Sequence, residues 1–260
     1  MLASAQSLPR CIPYNVNGKI GLVDIRKEMV IEPQFTDAFP ETRNMVFVEK
    51  STENGRRWGA LDPYGKELLP FDYLRLIPRP KVILFQTEAG WGVMSYQKTI
   101  IADAQYTNIK GFHENIAVME KEGKFGYLKL DGQELVPAEY EYAATFGEGR
   151  GVMSKDKKQF VFDRYGKLVF EAQYHSMQAF KDDITVFEID GMYGVVDKNG
   201  KIVVLPRYER IYGFVNGLAE CKSDGKWGVL YRSGAELIPC EFAATRIVGE
   251  WPAAVMNEDK

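Results

Sequence analysis

Apolar residues fall in short runs along this chain, separated by polar turn residues, and one arrangement of runs and turns keeps returning. Its clearest copy is Gly191-Met192-Tyr193-Gly194-Val195-Val196-Asp197-Lys198-Asn199-Gly200-Lys201-Ile202-Val203-Val204-Leu205-Pro206-Arg207-Tyr208. An aromatic–glycine pair leads an apolar run, a turn, a second apolar run, then Pro and Tyr. The marker glycine stands at Gly21, Gly59, Gly92, Gly126, Gly194 and Gly228, and Phe160 takes its place in one copy, with steps of 38, 33, 34, 34, 34 and 34 residues. A fixed period of this size marks a tandem-repeat architecture. No stretch long enough for a helix carries a period of about 3.6 residues, so the chain is expected to be almost wholly β.

Each copy predicts a hairpin. Asn17-Gly18, Glu122-Gly123, Asp190-Gly191 and Asp224-Gly225 lie between apolar runs, and such pairs suit two-residue turns whose central residues need positive φ. The marker strand is the second arm. It is flanked before the marker by Ile20, Trp58, Trp91, Phe125, Gln159, Tyr193 and Trp227, and after it by Leu22, Ala60, Val93, Tyr127, Val161, Val195 and Val229. Alternate side chains point to opposite faces. A strand apolar on both is a buried one, and its glycine marks a place where backbone or a ring comes close. Three residues past the marker stand Asp24, Asp62, Asp163 and Asp197, and six past it Gly65, Gly132, Gly166, Gly200 and Gly234. Asp bonding to the backbone two residues on and Gly supplying positive φ together make a turn.

The second apolar strand is expected to close at Pro33, Pro70, Pro137, Pro206 and Pro239. Fourteen residues past the marker an aromatic stands in every copy: Phe35, Tyr73, Tyr106, Tyr140, Tyr174, Tyr208 and Phe242. A weaker segment ends at Phe112, Phe146, Phe180 or Phe214, and a last apolar strand leads into the next hairpin. That leading strand occurs eight times, from 12–16 to 253–256, against seven marker strands. The 38-residue step comes from a longer connection over 49–57, which carries Arg56 and Arg57.

Gly225-Lys226-Trp227-Gly228-Val229-Leu230, Arg57-Trp58-Gly59-Ala60-Leu61-Asp62 and, with Tyr for Trp, Gly191-Met192-Tyr193-Gly194-Val195-Val196-Asp197 resemble the WG-repeat (tryptophan–glycine, KWG) family of bacterial proteins. The resemblance runs from about Gly18 to the C-terminus and takes Trp58, Gly59, Trp91, Gly92, Gly126, Tyr193, Gly194, Trp227 and Gly228 as repeat markers. It implies β structure and brings no general activity or catalytic residues with it. The expected organisation is a tail over 1–10 and one domain over 11–260 holding seven repeats. The expected arrangement stacks them around an axis as a β-propeller-like toroid; the alternative is an open β-solenoid or spiral.

The 260 residues are 45% apolar and 27% charged with net charge −3. The charges are interspersed, unlike the clustered basic face of a nucleic-acid binder. No apolar run approaches the ~18 residues of a membrane-spanning helix. Three cysteines, Cys11, Cys221 and Cys240, are too few and odd in number for a disulfide scaffold. Met1-Leu2-Ala3-Ser4-Ala5-Gln6 lacks the basic and apolar parts of a signal peptide, although Ala3-Ser4-Ala5 resembles the small-residue end of one. The expectation is a cytoplasmic protein, the alternative an exported one whose signal peptide is gone.

Candidate chemistry is sparse. His113 and His175 lie in different copies at different phases and out of phase with the cysteines, whereas zinc needs clustered ligands and a Cys–His nucleophile needs the pair in reach. The phased Asp residues bring too few carboxylates per turn for calcium. No catalytic residue, metal or cofactor is expected. Arg56, Arg57 and Arg79, near Arg75 and Lys81, form a candidate basic patch on variable loops. The expected role is a non-catalytic scaffold binding another protein, as repeat arrays do. The alternative is a glycan or cell-envelope ligand module with exposed aromatic platforms. Exposure of Trp58, Trp91, Trp227 and Trp251 separates the two readings: buried rings favour the scaffold, a row of exposed rings the ligand module.

Overall fold

The apolar runs of the repeat are β-strands in the structure, a computed structural model that describes residues 10–247 and, for 248 and 251–256, the backbone. About 65% of the chain is strand, and no helix occurs among the described residues. The first sheet is β1 (Cys11–Val16), β2 (Lys19–Asp24) and β3 (Met29–Phe35). Six four-stranded sheets follow. They are β4 (Asp37–Ala38), β5 (Val46–Thr52), β6 (Gly55–Leu61) and β7 (Glu67–Tyr73); then β8 (Arg75–Pro78), β9 (Ile83–Thr87), β10 (Gly90–Met94) and β11 (Ile100–Tyr106); then β12 (Asn108–Ile109), β13 (Ile116–Lys121), β14 (Lys124–Lys129) and β15 (Glu134–Tyr140). The next are β16 (Tyr142–Ala143), β17 (Arg150–Lys155), β18 (Lys158–Asp163) and β19 (Leu168–Ala172); β20 (Ser176–Met177), β21 (Ile184–Ile189), β22 (Met192–Asp197) and β23 (Ile202–Tyr208); and β24 (Arg210–Ile211), β25 (Leu218–Ser223), β26 (Lys226–Tyr231) and β27 (Glu236–Phe242). A two-stranded sheet, β28 (Ala244–Val248) with β29 (Trp251–Met256), ends the series.

Sequence neighbours pair antiparallel within every sheet, and the expected count of eight leading strands to seven marker strands holds. This strand order is common to a ring and to a spiral. The expected tail, apart from Arg10, and the side chain of Trp251 lie outside the described residues.

The turns follow from their residues. Asn17-Gly18, Glu122-Gly123, Asp190-Gly191 and Asp224-Gly225 all have positive φ at both positions, as the twist of a two-residue hairpin demands. In the marker-to-edge turn, Asp197 Oδ1 accepts from the N–H groups of Asn199 and Lys201, each at 2.9 Å, and Asp62 does the same for Tyr64 and Lys66. Asp24 and Asp163 repeat the arrangement.

The marker glycine sits opposite a β-bulge. In six copies the residue before the marker pairs with the aromatic fourteen past it, as Tyr193 with Tyr208, while the residue after the marker pairs with the one ten past it, as Val195 with Val204. The edge strand therefore holds two extra residues over the glycine. A Cβ on Gly194 would lie 2.7 Å from the Val204 carbonyl oxygen and 2.6 Å from the Phe187 ring, and one on Gly126 would lie 2.6 Å from the Val136 carbonyl oxygen. In the fifth copy Phe160 replaces the glycine and the bulge over the marker is gone: Gln159, Phe160 and Val161 pair without a break to Ala172, Glu171 and Phe170, and only the shift between Val161 and Phe162 remains.

Two expectations are corrected here. Proline does not close the second apolar strand: Pro33, Pro70, Pro137, Pro206 and Pro239 lie inside β3, β7, β15, β23 and β27. These are edge strands in their sheets, and an edge bulge is where a residue without an N–H is tolerated. Nor are Arg56 and Arg57 on a loop. The four extra residues lengthen both arms of the β5–β6 hairpin, where Ser51 pairs with Arg56 and Lys50 with Arg57.

The span 11–260 expected as one domain divides into two compact units, 1–109 with 130–133, and 110–129 with 134–260. Within each unit the two faces of a strand feed different cores. In the first, Val46 and Val48 of β5 pack with Cys11, Leu22, Phe35 and Leu61, while Phe47 and the neighbouring Met45 pack with Trp58, Leu69, Ile83 and Met94. In the second, Ile184 and Val186 of β21 join Val195, Tyr208 and Leu230, whereas Phe187 joins Val152, Val161 and Met177. Each such side chain contributes about 1.5–3 kcal/mol on burial. Turn glycines seal one repeat on the last. A Cβ on Gly166 would fall 2.6 Å from the Leu135 carbonyl oxygen.

Candidate functional site

The tryptophans answer the exposure question first. Trp58 is fully buried against Phe39, and Trp91 and Trp227 are half-buried. The ring of each lies beside a marker glycine in the middle of a sheet. Exposed large side chains stand elsewhere in both units, among them Ile25, Met29 and Tyr64 in the first and Tyr165, Leu205, Tyr212, Val215 and Tyr231 in the second.

Two of these line a depression of about 270 Å³ within the second unit, together with Gly213, Asn216, Glu220 and Ile247. Its walls follow from the repeat. β24 ends at Ile211, whose buried side chain alternates with the exposed Tyr212; Phe214 then turns into the core, leaving Val215 outside at the two-residue turn Asn216-Gly217. Tyr212 donates its N–H to the Glu220 carbonyl oxygen at 2.9 Å. The opposite wall is Ile247 of β28, held in place because its N–H donates to Glu220 Oε1 at 2.8 Å.

The rim is aromatic and cationic. Tyr212 stacks on Trp227 with ring centroids 5.7 Å apart and planes at 5°. The Arg210 guanidinium lies 5.5 Å over the Tyr212 ring and 6.0 Å from the Tyr193 ring, and Lys222 Nζ lies 5.8 Å from the Trp227 ring. Register places these groups side by side, with Arg210 opposite Lys222 and Lys222 opposite Trp227. Lys222 is paired with Glu209 at 3.5 Å. Chemically this is a shallow seat of mixed lining, with Tyr212, Val215 and Ile247 beside Asn216 and Glu220, and a guanidinium at its edge.

Of the residues singled out from sequence, Gly59, Gly92, Gly126, Gly194 and Gly228, with their aromatic partners, are positioned as packing elements. Arg57 is committed to Glu88 at 2.9 Å, and Arg56 is exposed with Glu49 at 3.9 Å. Arg79 is exposed in the turn after β8, its carbonyl accepting from the Tyr96 hydroxyl at 2.8 Å. His113 and His175 are on the surface. Among the described residues no cluster of three His, Cys, Asp or Glu side chains is placed to hold a metal. The depression was not foreseen. Its signal was Val215, an apolar residue at a phase held by Thr42, His113, Gly147 and Lys181 in other copies.

Fold and site thus define a tandem-repeat all-β protein. The family model described as "WG containing repeat" matches residues 20–51, 91–125, 125–158, 161–193 and 193–227, more than half of the chain, and the chain belongs to this family. The matches include the copy that lost its glycine and leave out two copies, those of Gly59 and Gly228. No curated protein matches the sequence. Solved structures with some likeness include Hsv2p of Kluyveromyces lactis, at 11% identity and TM-score 0.38 over 85% of this chain and 89% of that one. PorZ, a bacterial surface component of the type-IX secretion system of Porphyromonas gingivalis, shows 12% identity and TM-score 0.36 over 92% of this chain and 39% of its own. The Pan2 WD40 domain of Neurospora crassa shows 12% identity and TM-score 0.32 over 73% and 72%. These are distant likenesses and carry no functional weight.

Proposed function

We propose that this protein is a non-catalytic repeat scaffold that binds another protein, and that the depression beside Tyr212 and Val215 is where it does so. The observation that carries the reading is the placing of exposed apolar side chains. Tyr212 and Val215 are 45% and 47% exposed, Val215 at a phase that Thr42, His113 and Lys181 hold in other copies. Aromatic anchors beside an arginine are the usual composition of a protein-binding hot spot. An apolar side chain of the partner fills the seat, and an acidic neighbour meets Arg210. The buried and half-buried tryptophans favour this reading over the glycan module, which needs its rings open to solvent.

The test is a comparison. Wild-type protein and the double variant Tyr212→Ser, Val215→Lys are used as bait in an extract, and the partner found with wild type is then purified and titrated by calorimetry. Both residues are exposed, so the melting temperature should stay within a degree or two. The reading expects at least a tenfold loss of affinity in the variant, about 1.4 kcal/mol. Equal affinity for both baits removes the depression from the account.

A further inference from the structure

Cys221 and Cys240 form a thiol pair that the repeat itself builds. In each copy one residue of the leading strand lies directly across from the marker; in the last copy it is Cys221, paired with Gly228. The bulge brings a residue twelve past the marker over the same glycine. A Cβ on Gly228 would lie 2.8 Å from the Cys240 backbone nitrogen. With no side chain on the glycine between them, the two flanking side chains meet above it. Elsewhere this space takes one large group beside a small or rigid one, as Met119 with Ala138 and Phe187 with Pro206; the Met119 Cε and Phe187 Cζ atoms lie 2.5 and 2.6 Å from where a Cβ on their marker glycines would stand. Only in the last copy are both residues cysteine, and their sulfurs are 3.3 Å apart.

We propose that Cys221 and Cys240 are a modification site, closing to an intramolecular disulfide with a low-molecular-weight disulfide such as glutathione disulfide as oxidant. A covalent S–S bond of about 2.05 Å needs the sulfurs to approach by a little over 1 Å. Cys240 is half-buried and reacts first; Cys221 is fully buried. The Cys240 thiolate attacks one sulfur of the oxidant, breaking its S–S bond and releasing one glutathione thiolate. Cys221 then gives its proton to solvent and attacks Cys240 Sγ, expelling the second glutathione thiolate. Two protein thiols are oxidised and one disulfide is reduced to two thiols. Burial pushes both thiols above their ordinary range, so the exchange is slow at neutral pH and is best driven at about pH 8.5, near the ordinary thiol range. The bond staples β25 to the bulge of edge strand β27 across β26. Cys11 takes no part; it packs with Leu22, Phe35 and Val46.

The experiment uses the full wild-type chain. It is incubated with glutathione disulfide, denatured in N-ethylmaleimide, weighed intact and mapped by tryptic peptides. The expected result is loss of two hydrogens, one maleimide adduct on Cys11, and a link between the peptides holding Cys221 and Cys240, with a melting temperature raised by about 5 °C. Three maleimide adducts, a lasting glutathione adduct on Cys240, or a link that includes Cys11 would each overturn the proposal.

Discussion

At Gly194 a single methyl group would have to share space with the Val204 carbonyl oxygen at 2.7 Å and the Phe187 ring at 2.6 Å. Gly194→Val is therefore expected to cost about 3 kcal/mol in urea denaturation, as overpacked core sites do. The comparison that isolates the cause is Gly191→Ala. Gly191 has φ +77 but nothing within 4 Å of a Cβ, so only backbone strain of about 1 kcal/mol applies. A Gly194→Val cost below about 0.5 kcal/mol would remove close approach as the reason for the marker. A second residue is as telling. The Tyr127 hydroxyl, fully buried, shares its one proton between the carbonyl oxygens of Ala144 at 2.7 Å and Val152 at 3.1 Å. Tyr127→Phe keeps the ring and loses this donor, for an expected cost of about 1–2 kcal/mol.

Within a repeat, the marker-to-edge turn rests on one carboxylate. Asp197→Ala frees the N–H groups of Asn199 and Lys201 to water rather than burying them, so the expected loss is about 1 kcal/mol, read from the shift of the urea midpoint. This turn, the hairpins and the burial of the marker strand were legible because each depends on residues near one another in sequence: Asp197 with Gly200, Asp190 with Gly191. The bulge was not. Tyr193 and Tyr208 were both seen as invariantly aromatic or nearly so, but their pairing depends on how many residues the edge strand stores between them, and that is set across the sheet. Proline was misread as a strand end for the same reason, since the bulge that tolerates it is invisible until the partner strand is in place. The tight turns Glu114-Asn115, Asp182-Asp183 and Asn216-Gly217 were also missed, although Asn216-Gly217 carries an ordinary hairpin pair. The depression depends on Ile247, which only tertiary packing brings to Tyr212.

Across the chain, buried acids that hold their protons give the fold an alkaline limit. Burial, with Glu236 adding to it, pushes Tyr208 from its ordinary 10.0 up to about 12, and burial beside Glu41 pushes Cys11 from 9.0 up to about 11. The unfolded chain releases these protons first. Their contribution is therefore complete below about pH 9 and lost as pH rises through 11 to 12. The melting temperature should be level from about pH 7 to 9 and fall steeply above about pH 10; a level curve to about pH 12 would contradict this. Circular dichroism should show well under one-fifth helix, against the roughly 30% of an average domain.

The central claim is that one sheet unit is repeated seven times and that the two-residue bulge of its edge strand goes with the marker glycine. Cross-strand backbone NOEs on deuterated protein read this in every copy at once. The account predicts Tyr193 opposite Tyr208, Trp227 opposite Phe242 and Phe125 opposite Tyr140, but Gln159 opposite Ala172 rather than Tyr174. Finding Gln159 opposite Tyr174, or Tyr193 opposite Pro206, would contradict it.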